Sequence, residues 1–438
     1  MGIQNTRGWS IAVCVFVLNV GIVGVIHTVS MILMTLQKEF DATSTAIGWV
    51  GSISTATVCS MSPLSCFLYE LTSHRKVALV GVVLSAAGIM LTSFATNIMT
   101  LFFTFGIIFG IGGNFVYNPL MNLLSCYFPH KHCSRATSLA VSGTAIGMLS
   151  LGPIFSICFT DYGWRMTLRI FSIVILLVGV LCCVPFDPPP PVAEAINSQS
   201  LDDKENEESL EKRRNKFMKY LWILKLPEHW LFNFAIIFST CAAMFNLIYL
   251  VSLAESLKIE PKLASHMVAI SAGGQLIGRF LCIVVGDKLP FPRVVAMCLT
   301  CLLGTGITVM LLFIDSNAMF IVYVIISGIP MGIHWSLIYS VAVEIFGIVR
   351  NSEAVGYLTV SIGLAALFAP YAFGKAFDAT GIFDISILIC AAFWFMAALC
   401  YFVMYTYMRC CSSTDSNKYV SVPSGIVPVE NTENATAV

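Results

Sequence analysis

Long apolar runs, separated by short polar breaks, are the feature of this chain that most restricts its fold. A helix needs about 20 consecutive apolar residues to cross the hydrocarbon core of a bilayer. Twelve runs reach this length, so the sequence predicts an all-α membrane protein with twelve transmembrane helices. The predicted helices span residues 9–34, 45–70, 76–96, 98–121, 135–159, 164–185, 229–253, 264–286, 292–314, 317–343, 353–375 and 382–408.

The composition excludes a soluble protein. Apolar residues make up 57% of the 438 residues and charged residues 11%, whereas soluble domains have about 45–50% and about 25%. The formal net charge is zero, so bulk charge gives no indication of a nucleic-acid partner. Most of the 16 cysteines lie in apolar runs, where they act as small hydrophobic residues, and no cofactor or metal site is predicted.

A long polar segment at residues 186–225 divides the chain. It opens with four consecutive prolines and continues through acidic and then basic residues. Because few of these residues can be buried, the segment is predicted to be a largely disordered linker. The predicted domains are a six-helix bundle at 1–185, this linker, a second six-helix bundle at 226–408 and a tail at 409–438.

The distribution of Lys and Arg predicts the orientation. An even number of crossings places both termini and the linker on one side, and the basic residues of that side outnumber those of the other. The positive-inside bias makes that side cytosolic. Next to the second bundle, residues 217–225 are predicted to form a short interfacial helix against anionic membrane lipid.

Two six-helix bundles joined by one long linker are the layout of the major facilitator superfamily, whose two halves rock about a site near the bilayer midplane. Short motifs are spread along the chain, namely Gly8-Trp9, Gly48-Trp49-Val50-Gly51, Gly110-Ile111-Gly112-Gly113-Asn114, Asn118-Pro119, Arg135-Ala136-Thr137-Ser138, Asp161-Tyr162-Gly163-Trp164-Arg165 and Gly374-Lys375-Ala376-Phe377-Asp378. In order and spacing they resemble the monocarboxylate transporter family of that superfamily. The chain departs from the family where no acidic residue precedes Gly8, and where Pro129-His130-Lys131-His132 replaces a basic cluster.

The resemblance implies a transporter rather than an enzyme, with the major facilitator fold and alternating access. It implies small monocarboxylates such as lactate and pyruvate as substrates, protons as a coupled ion and the plasma membrane as the location. A single-span accessory protein is a further implied partner. Consistently, the sequence contains no Walker A, GxSxG or HExxH motif.

Arg279, in the eighth predicted helix, is the leading candidate for substrate binding. An ionisable residue inside a membrane helix costs about 2.5–3.5 kcal/mol on insertion scales, so it is a functional candidate by default. Its guanidinium matches a carboxylate bidentately. The resemblance implies the same role, since the family has a substrate-binding arginine at this position. The alternative is a structural arginine bonded to backbone carbonyls.

Proton coupling depends on two further residues. The family has an aspartate one turn before the arginine, and Gln275 stands in its place. An i,i+4 pair shares one helical face, so Gln275 is expected to bond to Arg279, but it cannot titrate. His27 in the first helix is the candidate that titrates near physiological pH, and its alternative role is a neutral, hydrogen-bonded histidine.

Three more residues complete the predicted substrate site. Tyr117 and Asn118 in the fourth helix and His334 in the tenth are expected to line the path. The alternative for each is structural, because polar side chains also join membrane helices by hydrogen bonds.

Three functions remain open from the sequence. The first is a facilitative or proton-coupled carrier of small monocarboxylates. The second is a transporter of another metabolite, such as an aromatic amino acid, a hormone-like or a creatine-like compound, without proton coupling. The third is a non-transporting membrane receptor, which the costly burial of Arg279 disfavours.

Overall fold

A computed structural model gives the fold of the chain. It describes residues 3–26, 39–40, 44–128, 132–186, 222–256, 261–314, 316–347, 350–381, 383–414, 419–422 and 425–428. His27 and most of the linker, residues 187–221, lie outside the described residues. Of the segment 217–225, for which an interfacial helix is predicted, only residues 222–225 are described.

Six transmembrane helices form the first half, and each corresponds to one predicted apolar run. α1 and α4 include π-helical stretches, which occur frequently at functional sites. The helices are α1 (Ile3–Leu18, continued by the π-helix Asn19–Val23), α2 (Ser44–Ser60 and Ser62–Leu71), α3 (His74–Thr92), α4 (Ile98–Leu101, the π-helix Phe102–Phe109 and Gly110–Tyr127), α5 (Cys133–Tyr162) and α6 (Trp164–Cys183).

Six further helices form the second half. They are α7 (Pro227–Ser256), α8 (Pro261–Val285), α9 (Arg293–Met310, continued by the 3₁₀ turn Leu311–Phe313), α10 (Asn317–Phe346), α11 (Asn351–Thr380) and α12 (Asp384–Thr414). Most predicted bounds agree with these to within a few residues, because the apolar runs mark the part of each helix that lies in lipid. α1, α11 and α12 extend furthest beyond the predicted runs, since the added ends are rich in polar residues.

α2 differs from the single helix predicted at 45–70. It is interrupted at Met61. Its second segment begins at Ser62 and has Pro63 in its first turn, where the proline lacks the N–H that an uninterrupted helix uses. Hydrogen bonds from Met61 N to Thr57 O and from Ser65 N to Met61 O carry the backbone across the interruption. Among the described residues, eleven continuous helices are long and apolar enough to span a membrane, and α2 supplies the twelfth crossing in two segments.

The outer surface of the bundle is apolar. Large hydrophobic side chains such as Leu181, Phe280 and Leu303 are exposed there, while polar side chains such as Asn114 and Asn118 are buried inside. A protein in water would show the opposite distribution. The chain is therefore a multi-pass integral membrane protein.

The two halves meet along α2 with α11 and along α5 with α8 and α10. We call the end of the bundle where α6 ends and α7 begins the linker side. There the Tyr69 hydroxyl lies 3.0 Å from the Ser352 hydroxyl, and the Asp287 carboxylate accepts from the backbone N–H groups of Ser134 and Arg135 at 2.9 and 3.1 Å. The halves are thus closed against each other on the linker side.

The tail contains a short antiparallel hairpin beyond α12. Its strands are β1 (Tyr419–Val422) and β2 (Gly425–Pro428), paired so that Val420 lies opposite Val427. The valines and isoleucine of these segments favour extended structure.

Candidate functional site

Glycines on both helices hold α8 close to α10. Gly274 and Gly278 of α8 face Gly328 and Gly332 of α10. A Cβ atom at Gly328 would lie 2.6 Å from the Ser271 carbonyl oxygen, so the two backbones approach to a distance that only glycine permits. This contact fixes the position of α8, which carries the central charged residue of the site.

Arg279 joins the two halves of the protein. Its side chain is buried, and Nη1 donates to the Val141 carbonyl at 2.6 Å and to the Thr144 hydroxyl. Both acceptors belong to α5 in the first half. Nη2 donates to Gln275 Oε1 at 3.4 Å, one turn away on α8, as the i,i+4 spacing predicts.

The guanidinium keeps hydrogen-bonding capacity for a ligand. Nε is buried and has no partner among the described residues, and Nη2 has only the long bond to Gln275. Nε and Nη2 form the side-on edge of the guanidinium, which suits a bidentate carboxylate. No described acidic side chain forms a salt bridge with Arg279. A buried charge without a counterion costs about several kcal/mol, so this site favours an anion.

Two tyrosines meet across the halves near Arg279. The rings of Tyr117 on α4 and Tyr339 on α10 are perpendicular, with centroids 5.9 Å apart. Tyr117 lies within electrostatic range of the guanidinium. The buried Tyr339 hydroxyl lies near the side chains of Tyr117 and Thr359. The structure therefore brings Tyr117 and Gln275 together with Arg279, and their roles in substrate binding stay predictions.

Asn118 is engaged in a bridge between the halves. Its Nδ2 donates to the Ser65 hydroxyl at 3.2 Å, and its Oδ1 accepts from the Thr359 hydroxyl at 3.2 Å. Ser65 lies on α2 and Thr359 on α11, so this side chain takes part in inter-half contact. Its predicted role in substrate binding stays a prediction.

His334 lies elsewhere in the second half. It is fully buried, and its ring faces Trp335 and the α12 residue Trp394, with centroids 5.5 and 6.1 Å away. Gly332 faces α8, and a residue two positions further lies about 200° around the helix. His334 consequently points away from α8 and is not brought together with Arg279. His27 lies outside the described residues.

Three residues of this region could not be identified from the sequence. Thr144 is one of many threonines in apolar runs, and Val141 contributes a carbonyl, which no sequence pattern marks. Tyr339 carries a weak signal, as a polar group in an apolar helix, but so do many other residues.

Comparison with known proteins agrees with this architecture. The model of the Major Facilitator Superfamily matches residues 10–250 and 231–418. The solved structure of the proton:xylose symporter XylE, bound to 6-bromo-6-deoxy-D-glucose, superposes with a TM-score of 0.69. It covers 93% of this chain and 96% of its own at 12% identity, which shows a shared fold.

The proteins that are similar to this chain in sequence are named monocarboxylate transporters. Monocarboxylate transporter 2 of Rattus norvegicus is 26% identical over 387 residues, covering 85% of this chain and 78% of its own length. Monocarboxylate transporter 1 of Bos taurus is 24% identical over 435 residues, with 90% and 84% covered. The chain therefore belongs to the Major Facilitator Superfamily, as a transporter and not an enzyme, and is homologous to the monocarboxylate transporters.

Proposed function

We propose that this protein carries small monocarboxylates such as lactate and pyruvate across the membrane by alternating access. The observation that carries the proposal is the buried side-on edge of Arg279. Among the described residues its Nε has no hydrogen-bond partner, and no acidic side chain forms a salt bridge with it. A bound carboxylate would take both N–H groups of that edge and balance the charge. The names of the relatives support the same substrate class.

We assign proton coupling to a different residue from the one that the family uses. Gln275 occupies the position of the family aspartate and has no titratable group. We therefore assign any proton coupling to His27, which titrates near physiological pH. Uptake measured at two pH values in wild type and in His27→Gln tests this assignment.

The protein is proposed to lie in the plasma membrane with both termini and the linker in the cytosol. The excess of Lys and Arg on the linker side supports this orientation. A single-span accessory protein and anionic lipid next to residues 217–225 are the proposed partners in that membrane.

The test is saturable uptake of ¹⁴C-lactate and ¹⁴C-pyruvate by proteoliposomes containing the full chain. Arg279→Gln removes two charge-assisted hydrogen bonds to the carboxylate, each worth about 1.5–3 kcal/mol. We expect uptake efficiency to fall by roughly a hundredfold or more.

The matched control is Arg169→Gln, which alters an arginine that bonds to Ser93 far from Arg279. We expect its uptake to equal that of wild type. Wild-type uptake by a folded Arg279→Gln variant would exclude the proposed role of Arg279. A wild-type protein that transports neither acid would refute the substrate class.

A second candidate substrate is an aromatic amino acid. The aromatic pair Tyr117–Tyr339, of which Tyr117 lies near Arg279, favours a ligand that carries a ring and a carboxylate. Competition for ¹⁴C-lactate uptake by tyrosine and tryptophan, at two pH values, separates the candidates. A pH-independent flux selective for amino acids would favour the second.

A further inference from the structure

The hydroxyl of Thr144 is oriented as an acceptor for Arg279. It donates its own proton to the Val141 carbonyl at 2.9 Å, so its lone pairs remain for the guanidinium. Val141 O also accepts from Arg279 Nη1 at 2.6 Å. Both N–H groups of Nη1 are thereby directed at one turn of α5, and the opposite edge of the guanidinium is turned away from that turn.

This turn of α5 is held firmly within the first half. The Asn19 amide on α1 donates to the Ala140 carbonyl at 2.8 Å. One turn further, a Cβ atom at Gly147 would lie 2.8 Å from the Cα atom of Gly24. The acceptors of Arg279 therefore belong to a rigid α1–α5 pair and move with the first half, while Arg279 moves with the second.

We propose that Thr144 is a positioning residue for Arg279, acting across the interface of the two halves. Its hydroxyl holds Nη1 so that the edge formed by Nε and Nη2 is presented to the substrate carboxylate. This inference rests on the proposed function of Arg279. It adds that the arginine is held by the first half only while the linker side is closed.

The same contact links substrate to conformational change. Opening the linker side separates α5 from α8, and Nη1 then loses both of its acceptors. A bound carboxylate keeps the other edge bonded through this step, whereas an empty guanidinium has only Gln275. A ligand shifts an equilibrium by its differential interaction with the two states, so the loaded carrier opens more readily than the empty one.

Two substitutions separate positioning from packing. Thr144→Val keeps the shape of the side chain and removes the hydroxyl, and Thr144→Ser keeps the hydroxyl. We expect Thr144→Val to raise the KM for ¹⁴C-lactate uptake about tenfold, the effect of one hydrogen bond to a charged group. Thr144→Ser is expected to stay within about twofold of wild type. Equal KM values in wild type and Thr144→Val would overturn the proposal, as would equal losses in both variants.

The conformational part has its own readouts. Proteoliposomes loaded with ¹⁴C-lactate are diluted into buffer with or without unlabelled lactate. Wild type is expected to show faster exchange than net efflux, and Thr144→Val a smaller ratio of the two rates. An unchanged ratio would overturn the link between substrate and opening.

A probe that needs no substrate distinguishes failure of this inference from failure of the proposed function. Cys66 on α2 is buried at the linker-side interface, where its thiol contacts the Ser352 carbonyl at 3.4 Å. Its alkylation by a membrane-impermeant maleimide, read on its peptide by mass spectrometry, reports opening. We expect alkylation about tenfold faster in Thr144→Val than in wild type and Thr144→Ser. Equal rates in all three proteins would overturn the inference whatever the carrier transports.

Discussion

Replacing Gly328 by alanine tests whether the contact of α8 with α10 places the substrate arginine. A Cβ atom at Gly328 would lie 2.6 Å from Ser271 O and 2.9 Å from Gln275 N. An ordinary carbon–oxygen contact is at least about 3.3 Å, so α8 must move away from α10 by roughly 0.7 Å. Such overpacking costs about 1–3 kcal/mol, and the better helix propensity of alanine returns about 1 kcal/mol.

The expected loss of function exceeds the loss of stability. Gln275 and Arg279 move with α8, and the bond of 3.4 Å between them is already long. Binding groups must be held within about 0.5 Å of their productive geometry. We expect Gly328→Ala to raise the KM for lactate roughly tenfold, while the free energy of unfolding falls by at most about 2 kcal/mol.

The chain supplies a matched glycine control on α8, the helix that carries Arg279. A Cβ atom at Gly273 would meet no atom within 4 Å, and Gly273 lies on the lipid-facing side of α8 with Phe280, seven residues along. Gly273→Ala is therefore expected to keep the KM of wild type. The assays are uptake at matched protein content and thermal unfolding in detergent. Equal KM values for Gly328→Ala, Gly273→Ala and wild type would refute the idea that this contact positions Arg279.

Two further predictions concern the closed linker side. Asp287→Asn removes the negative charge that faces the N-terminus of α5 and pairs with Arg293 at 3.3 Å. Such charge-assisted bonds are worth about 1.5–3 kcal/mol each. We therefore expect maleimide to alkylate Cys66 at least tenfold faster in this variant than in wild type. Tyr69→Phe removes only neutral hydrogen bonds, one with the Ser352 hydroxyl and one to the Cys66 thiol itself, so a smaller acceleration of about threefold is expected. A larger effect from Tyr69→Phe than from Asp287→Asn would contradict the ranking of the two contacts, and unchanged rates in both would exclude them as closing contacts.

The helices could be predicted from sequence because the requirement for crossing lipid is local. A spanning helix satisfies its own backbone hydrogen bonds, so each apolar run identifies a helix without knowledge of its neighbours. Arg279 could be recognised for a related reason, since charged residues are rare in such runs. Gln275 could then be predicted to contact it, because it lies four residues earlier on the same helical face. Thr144 lies 135 residues away, and only the packing of α5 against α8 reveals its role.

Because Gln275 is uncharged, Arg279 can both bind the substrate carboxylate and form different contacts in the closed and open states of the carrier. An aspartate at this position would pair with Arg279 and neutralise it before any substrate arrives. Glutamine offers only a neutral acceptor at 3.4 Å, so the empty site keeps a positive charge that must be held by Val141 and Thr144. In the proposed mechanism the loaded site is neutral and the empty site is charged. When the empty carrier opens its linker side, the charged guanidinium must therefore give up its hydrogen bonds to Val141 and Thr144. Thr144→Val removes one of these bonds, so we expect this opening step to become faster.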